Sequence, residues 1–370
     1  MITLYDIKQV TLLPTITNQG HPGGKVDFSV KDKDEITGFP DSLPIFTSPM
    51  ECIIDNTNVK LFTDKGIKPV IPGVESIDIR LNLCSWVFCA FSLLEIEKYF
   101  LRERRQSNSQ FHICIDAGNG HDLTVLKYGL QLKKDYGNQV LLMGGNVAFP
   151  EVYKDYSVAG FDYMRVGIAS SSVSNKNKYG FHYPMASLLD DIKNYRRNGA
   201  GKSLRPVKVI ADGGITCFSD IVKCIACGAD FVMIGHEFAR TIEAAGSIYK
   251  KQKSPQGKME FIEVNRGSVL GWSGDKARGE GLQRRYYGNT SEEIRIRRNG
   301  ESDSDALENG YSGYISNDAL FDWVRIDYSL DEWIEDFKEV AYYAFMMTSS
   351  LGWEDFKKNA RYGIDSDLTD

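Results

Sequence analysis

Eight short apolar segments recur between residues 43 and 236, each bounded by Gly, Pro or Asp. They are rich in Val, Ile, Leu and Phe, which is typical of strands buried on both faces of a parallel sheet. The segments are LPIFTSPM (43–50), IKPVIPG (67–73), WVFCAF (86–91), FHICIDAG (111–118), QVLLMGGN (139–146), YMRVGIA (163–169), VKVIADGG (207–214) and DFVMIGH (230–236). Amphipathic segments at 123–137, 183–199 and 219–229 predict helices between them.

Strands that alternate with helices in this way predict one α/β domain over residues 1–370, a single (β/α)8 TIM barrel. A doubly wound sheet is the alternative, but no GxGxxG motif follows the first strand. Residues 265–325 are charged and Gly-rich. We expect them to form a long loop after the eighth strand, a mobile flap rather than part of the core.

Composition excludes several classes of partner. The chain has 370 residues with 44 Lys plus Arg against 50 Asp plus Glu, so it lacks the basic excess that non-specific nucleic-acid binding needs. It has no apolar run of about 18 residues and no secretory signal, so we expect no membrane partner and a cytoplasmic location. The five histidines show no metal-ligand spacing, and we predict no metal site. Cys224 and Cys227 form a CxxC inside a predicted helix, where packing is the favoured role.

Three strand ends are rich in glycine or serine. The seventh carries Asp212-Gly213-Gly214, the eighth carries Gly235-His236, and the sixth continues from Gly167 to Ser172. Backbone N–H groups at such ends can approach a phosphate, and the loops after strands seven and eight are the usual phosphate site of a TIM barrel. The alternative is that these glycines only make tight turns. Asp212 could bind two ribose hydroxyls or cap the next turn.

The fourth strand ends in a second polar group, made of Asp116, Asn119, Gly120 and His121. Asp and Asn at such a position can bind a polar ring or a ribose, and His121 is a candidate acid–base group. An Asx-type turn that caps the following helix explains the same residues equally well.

The motifs resemble those of the IMP dehydrogenase / GMP reductase family, over most of the chain. The ordered pair IADGGI and GADFVMIG carries most of the specificity. The other segments that carry the resemblance are LPIFTSPM, IDAGNGH, MGGNVAFPE, FDYMRVGIASSSVSNKNKYGFHYP, YYGNTS and LDEWIEDFKEV. The form is nearer to GMP reductase, because no regulatory Bateman insert is present.

The resemblance implies a site for a purine nucleoside 5′-monophosphate, GMP or IMP. Its residues are Ser172, Gly213, Gly214, Gly235, His236 and Tyr286 around the phosphate, Asp212 on the ribose, and Gly288 and Asn289 along the purine edge. Asp116, Asn119 and Gly120 are implied to face the nicotinamide of NADP or NAD. The family also implies a homotetramer or an octamer.

The reacting half of the site departs from the family. The resemblance places Ser174 where the family has its cysteine nucleophile, and Lys176 where it has a threonine. A serine hydroxyl is a far poorer nucleophile than a thiolate unless a base activates it. The reductase's lysine after the second strand is missing from VIPGVES (70–76), and the flap glutamate cannot be aligned, with Glu308 and Asp318 as candidates.

Three functions therefore remain open. The first is a purine-nucleotide oxidoreductase in which Ser174 and Lys176 are the catalytic residues. The second is a catalytically inactive or repurposed nucleotide-binding homologue. The third is other chemistry on a purine nucleotide.

Overall fold

Eight parallel strands form a closed (β/α)8 barrel, which confirms the predicted fold and excludes the doubly wound alternative. The structure is a computed structural model that describes residues 4–15, 25–30, 42–105, 110–168, 181–198, 205–255, 257–287 and 322–365. The barrel strands, first to eighth, are Ile45–Thr47, Val70–Ile71, Phe88–Phe91, Phe111–Ile115, Val140–Val147, Tyr163–Val166, Lys208–Asp212 and Phe231–Ile234. Seven of them lie within a predicted segment, and the fifth, Val140–Val147, ends one residue beyond its segment 139–146.

Neighbouring barrel strands pair in chain order, and the first strand pairs with the eighth. A parallel bridge between Phe46 and Lys68 joins the first strand to the segment that leads into the second. All the strands therefore point the same way, and their carboxyl ends meet at one face of the barrel.

Helices follow most of the barrel strands, including the three predicted from amphipathic patterns. The helices are Val59–Asp64, Ile77–Leu83, Leu93–Glu95 with its π-helical continuation Ile96–Arg102, Leu123–Tyr136, Val152–Val158, Met185–Arg197, Phe218–Cys227, His236–Ala239, Arg266–Val269, Gly274–Gly279, Leu330–Met347 and Trp353–Asn359, with 3₁₀ turns at Ile7–Gln9 and Gly137–Gln139. Within the described ranges, none of them is long and apolar enough to cross a membrane. Cys224 and Cys227 are buried in their helix, where burial raises the pKa of both thiols.

Aromatic rings fill the barrel interior. Phe46, Phe88, Tyr163 and Phe231 come from four different strands and meet edge to face, with ring centroids 5.3 to 6.0 Å apart. Such pairs each add about 0.5–1.5 kcal/mol beyond the area they bury. The barrel is therefore a packed core, and a ligand site belongs at the strand ends rather than inside.

A separate four-stranded antiparallel sheet follows the eighth strand in the chain. Its strands are Ile248–Lys253, Met259–Val264, Leu282–Tyr286 and Asp322–Arg325. A small buried cluster that includes Ile242, Ile248 and Ile326 packs beneath it. Residues 265–287 and 322–325 thus contribute helices, two strands and core side chains, where a mobile loop was expected. The rest of the predicted flap, 288–321, lies outside the described residues.

The two ends of the chain meet in a separate pairing. Strand Val10–Leu13 lies antiparallel to Arg361–Ile364. Lys8 reaches the helix after the seventh strand, where its Nζ lies 2.5 Å from the buried carboxylate of Asp220. The terminal segments are therefore fastened to the barrel.

Candidate functional site

Asp212 at the end of the seventh barrel strand is held by Asn146 at the end of the fifth. The Nδ2 of Asn146 donates to Oδ2 of Asp212 and to the carbonyl of Gly167, at 2.9 Å in both cases. Within the described part of the chain, Oδ1 of Asp212 accepts no hydrogen bond. Burial raises the pKa of Asp212, against the opposing effects of Arg165 and Asn146. The carboxylate is fixed through one oxygen, and its other oxygen remains able to accept.

Arg165, on the sixth strand, contacts Asp116 at the end of the fourth strand. Its Nη2 donates to Asp116 at 3.0 Å, and its side chain is only 4% exposed. Burial opposes the charge of Arg165, but Cys114, Asp116 and Asp212 outweigh burial and raise its pKa. The guanidinium therefore stays charged. Asp116 and Asp212, predicted from separate motifs, both act electrostatically on Arg165, and Asp116 also contacts it directly.

The loop after the fourth strand divides into exposed and buried parts. Asn119 is exposed, and its Oδ1 accepts from the backbone of His121 at 3.0 Å, which is the predicted Asx-type turn. Gly120 is buried, its N–H donates to Asn146 and its carbonyl accepts from Tyr156. A Cβ at Gly120 would lie 2.7 Å from the Asn146 carbonyl oxygen, so only glycine fits here. Gly120 packs behind the site, because both of its backbone groups already have partners.

His121 is oriented as an acceptor. Its Nε2 accepts from the backbone N–H of Ala148 at 2.9 Å, so in this arrangement the ring proton is on Nδ1. The ring packs edge-on against Phe149. Burial lowers the pKa of His121, which favours the neutral ring. The residue therefore holds the loops after the fourth and fifth strands together, and its Nε2 has no proton to give.

The end of the eighth strand meets the four-stranded sheet. A Cβ built on Gly235 would lie 2.9 Å from the hydroxyl of Tyr286 and 3.0 Å from the sulfur of Met50. The ring of Tyr286 packs edge-on against His236, with centroids 5.5 Å apart. The structure thus brings Gly235, His236 and Tyr286 together. After the neighbouring seventh strand, Gly213 and Gly214 have φ angles of +104° and +75°, which favour glycine.

Arg284 links the strand Leu282–Tyr286 to the segment that follows the eighth barrel strand. It is fully buried and donates five hydrogen bonds, all to carbonyl groups between Ala239 and Gly246. Burial lowers the pKa of Arg284 to about 9. Because Tyr286 is two residues away on the same strand, Arg284 ties the tyrosine to the segment that follows the eighth strand.

Sequence reasoning missed Arg165, Asn146 and Arg284 as site residues. The available signal was a polar residue inside an apolar strand, as in YMRVGIA and MGGNVAF. Other predicted site residues, Ser172, Ser174, Lys176, Gly288 and Asn289, lie outside the described residues. Within the described ranges, no group of three or more His, Cys, Asp or Glu is arranged to hold a metal ion.

A family model described as the IMP dehydrogenase / GMP reductase domain matches residues 104–291, just over half of the chain. The chain belongs to this family. The match contains Asp116, Asn146, Arg165, Asp212 and Tyr286, all of which the structure brings to the site.

Curated relatives support the same assignment over a shorter stretch. A GMP reductase from Chromobacterium violaceum is 34% identical over 170 residues, which cover 45% of this chain and 50% of that protein. A GMP reductase from Buchnera aphidicola is 32% identical over 160 residues, 43% of each chain, and human GMP reductase 1 is 29% identical over 140 residues, 38% of this chain and 39% of its own. The chain thus spans half or less of the length of these relatives.

The fold also agrees with a solved structure of wider coverage. The crystal structure of inosine 5′-monophosphate dehydrogenase from Legionella pneumophila superposes with a TM-score of 0.70, covering 98% of both chains. Sequence identity is 20%, so this likeness concerns the barrel fold.

Proposed function

We propose that the protein binds a purine nucleoside 5′-monophosphate, GMP or IMP, at the carboxyl ends of the barrel strands, as an oxidoreductase-like member of its family. The observation that supports this proposal most directly concerns Asp212. Its Oδ2 accepts a hydrogen bond from Asn146, and its Oδ1 accepts none from the described residues. A carboxylate held in this way suits the vicinal hydroxyls of a ribose, because it accepts hydrogen bonds and donates none.

The phosphate is proposed to lie between Ser172, Gly214 and Gly235, beside His236 and Tyr286. Within the described part of the chain, the N–H groups of Gly214 and Gly235 donate to no protein acceptor. Backbone N–H groups that converge after the seventh and eighth strands are the phosphate site typical of this barrel. The Gly213 backbone supports the turn, and Gly288 and Asn289 are proposed along the purine edge.

We propose that the polar residues after the fourth strand bind a nicotinamide cofactor, NADP or NAD. When bound it would exchange a hydride with the purine. Asp116 and the exposed Asn119 are proposed to hold its nicotinamide side. Asp116 is 25% exposed and pinned by Arg165, so one carboxylate faces the mouth in a fixed orientation. Gly120 contributes by letting the Asn146 backbone pack closely.

Ser174 and Lys176 are the proposed catalytic pair if turnover occurs. A serine hydroxyl has no ionised fraction comparable to that of a cysteine thiol, and Lys176 could act as its base only when neutral. A charged Lys176 needs no special environment and would leave Ser174 inert. The second candidate, a nucleotide-binding homologue with little or no turnover, is therefore favoured by this substitution. A cytoplasmic homotetramer or octamer is proposed from family likeness alone.

Two measurements test the proposal. Thermal unfolding with IMP, GMP, AMP and inorganic phosphate should show stabilisation by IMP or GMP, about 2.7 kcal/mol at a hundredfold excess over Kd. Absorbance at the reduced-nicotinamide band, with IMP plus NAD and with GMP plus NADPH, then separates an enzyme from a binder. No stabilisation by either IMP or GMP would contradict the proposed function.

A further inference from the structure

Two polar atoms beside Gly235 have no partner among the described residues. Tyr286 is only 6% exposed, yet its hydroxyl makes no hydrogen bond within the described ranges. The same holds for Nε2 of His236, whose other ring nitrogen is engaged. Because a hydroxyl on a buried side chain is costly to leave unpaired, we expect its partner to arrive with a ligand.

The His236 ring is oriented by its Nδ1 atom, which lies 3.3 Å from Oε1 of Glu237. Glu237 is buried, and both of its carboxylate oxygens lie 3.1 Å from Nη1 of Arg240. A carboxylate that is paired with a guanidinium accepts hydrogen bonds and donates none, so in this arrangement Nδ1 carries the ring proton. Nε2 is then the nitrogen that remains to meet a ligand.

The ring lies beside the groups that are proposed to hold the phosphate. It packs edge-on against the Tyr286 ring, with centroids 5.5 Å apart. The Tyr286 hydroxyl in turn lies 2.9 Å from a Cβ built on Gly235, the residue before His236. The Gly235 backbone, the tyrosine hydroxyl and the imidazole are therefore neighbours at the end of the eighth strand.

A cation is what this group needs to hold a phosphate. A phosphate monoester carries close to two negative charges at neutral pH, whereas the Gly235 N–H and the Tyr286 hydroxyl are neutral donors. The arginines on the flanking elements are engaged elsewhere, Arg240 by two carboxylates and Arg284 by five carbonyl hydrogen bonds. His236 is the member of this group that can become cationic.

From this arrangement we propose that His236 is a proton-coupled ligand of the nucleotide 5′-phosphate. As the dianion binds, Nε2 takes one proton from the solvent, and the resulting imidazolium donates one hydrogen bond to Glu237 and one to a phosphate oxygen. The proposal rests on the proposed function, because it assigns the group that neutralises the phosphate of the proposed nucleotide.

A proton taken up here can be assigned to the ring. Among the described residues, the titratable groups that face it are Glu237, with its partner Arg240, and Tyr286 on the four-stranded sheet. The loop after the first strand brings the uncharged side chains of Ser48 and Met50. Burial raises the pKa of Tyr286. Burial opposes the charge of Arg240, but its carboxylate partners outweigh burial and raise its pKa, so both groups keep their protons.

Calorimetric titration of the full chain with IMP and with GMP, in buffers of different ionisation enthalpy, counts the protons taken up. At pH 8, above the range in which histidine side chains ordinarily carry charge, we expect the parent to take up on the order of one proton per nucleotide. His236→Gln should take up none, and its Kd at pH 7 should be about tenfold higher than the parent's.

Two further variants separate charge from shape. His236→Lys is charged before the nucleotide arrives, so it should take up no proton and bind at least as tightly as the parent at pH 8. Arg325→Gln removes a 63%-exposed cation from the strand next to that of Tyr286 and serves as the control. It should keep the parent's Kd and proton count.

The outcomes separate this inference from the proposed function. A parent that binds IMP or GMP without taking up a proton overturns the inference alone, and this measurement needs no variant. A His236→Gln protein with the parent's proton count or the parent's Kd overturns it as well. Binding of neither nucleotide by the parent contradicts the proposed function and this inference with it.

Discussion

The amide of Asn146 holds Asp212 at 2.9 Å, although the two residues are 66 positions apart in the chain. Because the same amide donates to the carbonyl of Gly167, it bridges the ends of the fifth, sixth and seventh strands. Asp212 is thereby oriented before any ligand arrives.

Removing that amide should weaken nucleotide binding without unfolding the barrel. In Asn146→Ala, Asp212 loses a hydrogen bond worth about 1 kcal/mol, so the Kd for IMP or GMP should rise about five- to tenfold. The same bond opposes the burial that raises the pKa of Asp212, so binding by the variant should fail at a higher pH than in the parent. Calorimetric titration across the acidic range measures both effects.

Asn138→Ala is the matched control, since Asn138 is exposed on the turn before the fifth strand. It should leave the Kd and its pH dependence as in the parent. An Asn146→Ala variant that behaves like this control would show that Asp212 does not depend on Asn146.

His121 should make the fold less stable in mild acid. Burial lowers its folded pKa below the ordinary value of 6.5, so the unfolded chain binds the proton more readily. Its contribution to stability is thus fully present above pH 6.5 and is lost as the pH falls through the folded pKa. Urea unfolding should show a steeper loss between about pH 6.5 and pH 5 for the parent than for His121→Gln. If the free energy of unfolding depends on pH in the same way in both proteins, His121 does not cause the loss of stability in acid.

Arg284 should contribute stability at the junction between barrel and sheet. Arg284→Met leaves five carbonyl acceptors without their donor, which we expect to cost on the order of 3–5 kcal/mol. Arg325→Met removes a 63%-exposed arginine from the neighbouring strand and should cost less than about 1 kcal/mol. Urea unfolding measures the free energy of unfolding of both variants. Similar losses in the two would mean that the hydrogen bonds from Arg284 to the carbonyl groups contribute little to stability.

The barrel was predictable because its strands are buried on both faces and so appear in the sequence as continuous apolar runs, such as QVLLMGGN. The four-stranded sheet was not, because strands such as Ile248–Lys253 are largely exposed and rich in lysine. Asp212 and Gly235 were predicted from motifs at strand ends, and Tyr286 from the family resemblance alone. Asn146 and Arg165 were missed, because their partners belong to other strands and become neighbours only when the barrel closes.

Turnover is predicted to be weak or absent in the natural sequence, because the family resemblance places Ser174 at the position of the cysteine nucleophile and a serine hydroxyl is a far poorer nucleophile than a thiolate. Ser174→Cys alone should not restore a full rate, since the same resemblance places Lys176 where the family has a threonine. The double variant Ser174→Cys with Lys176→Thr is expected to give the largest gain, measured as absorbance change with GMP plus NADPH and with IMP plus NAD. Robust turnover by the unmodified protein, abolished by Ser174→Ala, would instead make Ser174 the nucleophile.

The central claim is that Asp212 binds the ribose of a purine monophosphate. Calorimetric titration of the parent, of Asp212→Ala and of Asp355→Ala with IMP and with GMP tests it most directly. Asp355 is exposed on the helix Trp353–Asn359 and serves as the control. We predict that the parent and Asp355→Ala bind one of the two nucleotides alike, while Asp212→Ala keeps the parent's far-ultraviolet circular dichroism and loses binding by at least about a hundredfold. Equal affinity of Asp212→Ala and the parent for both nucleotides would contradict the account.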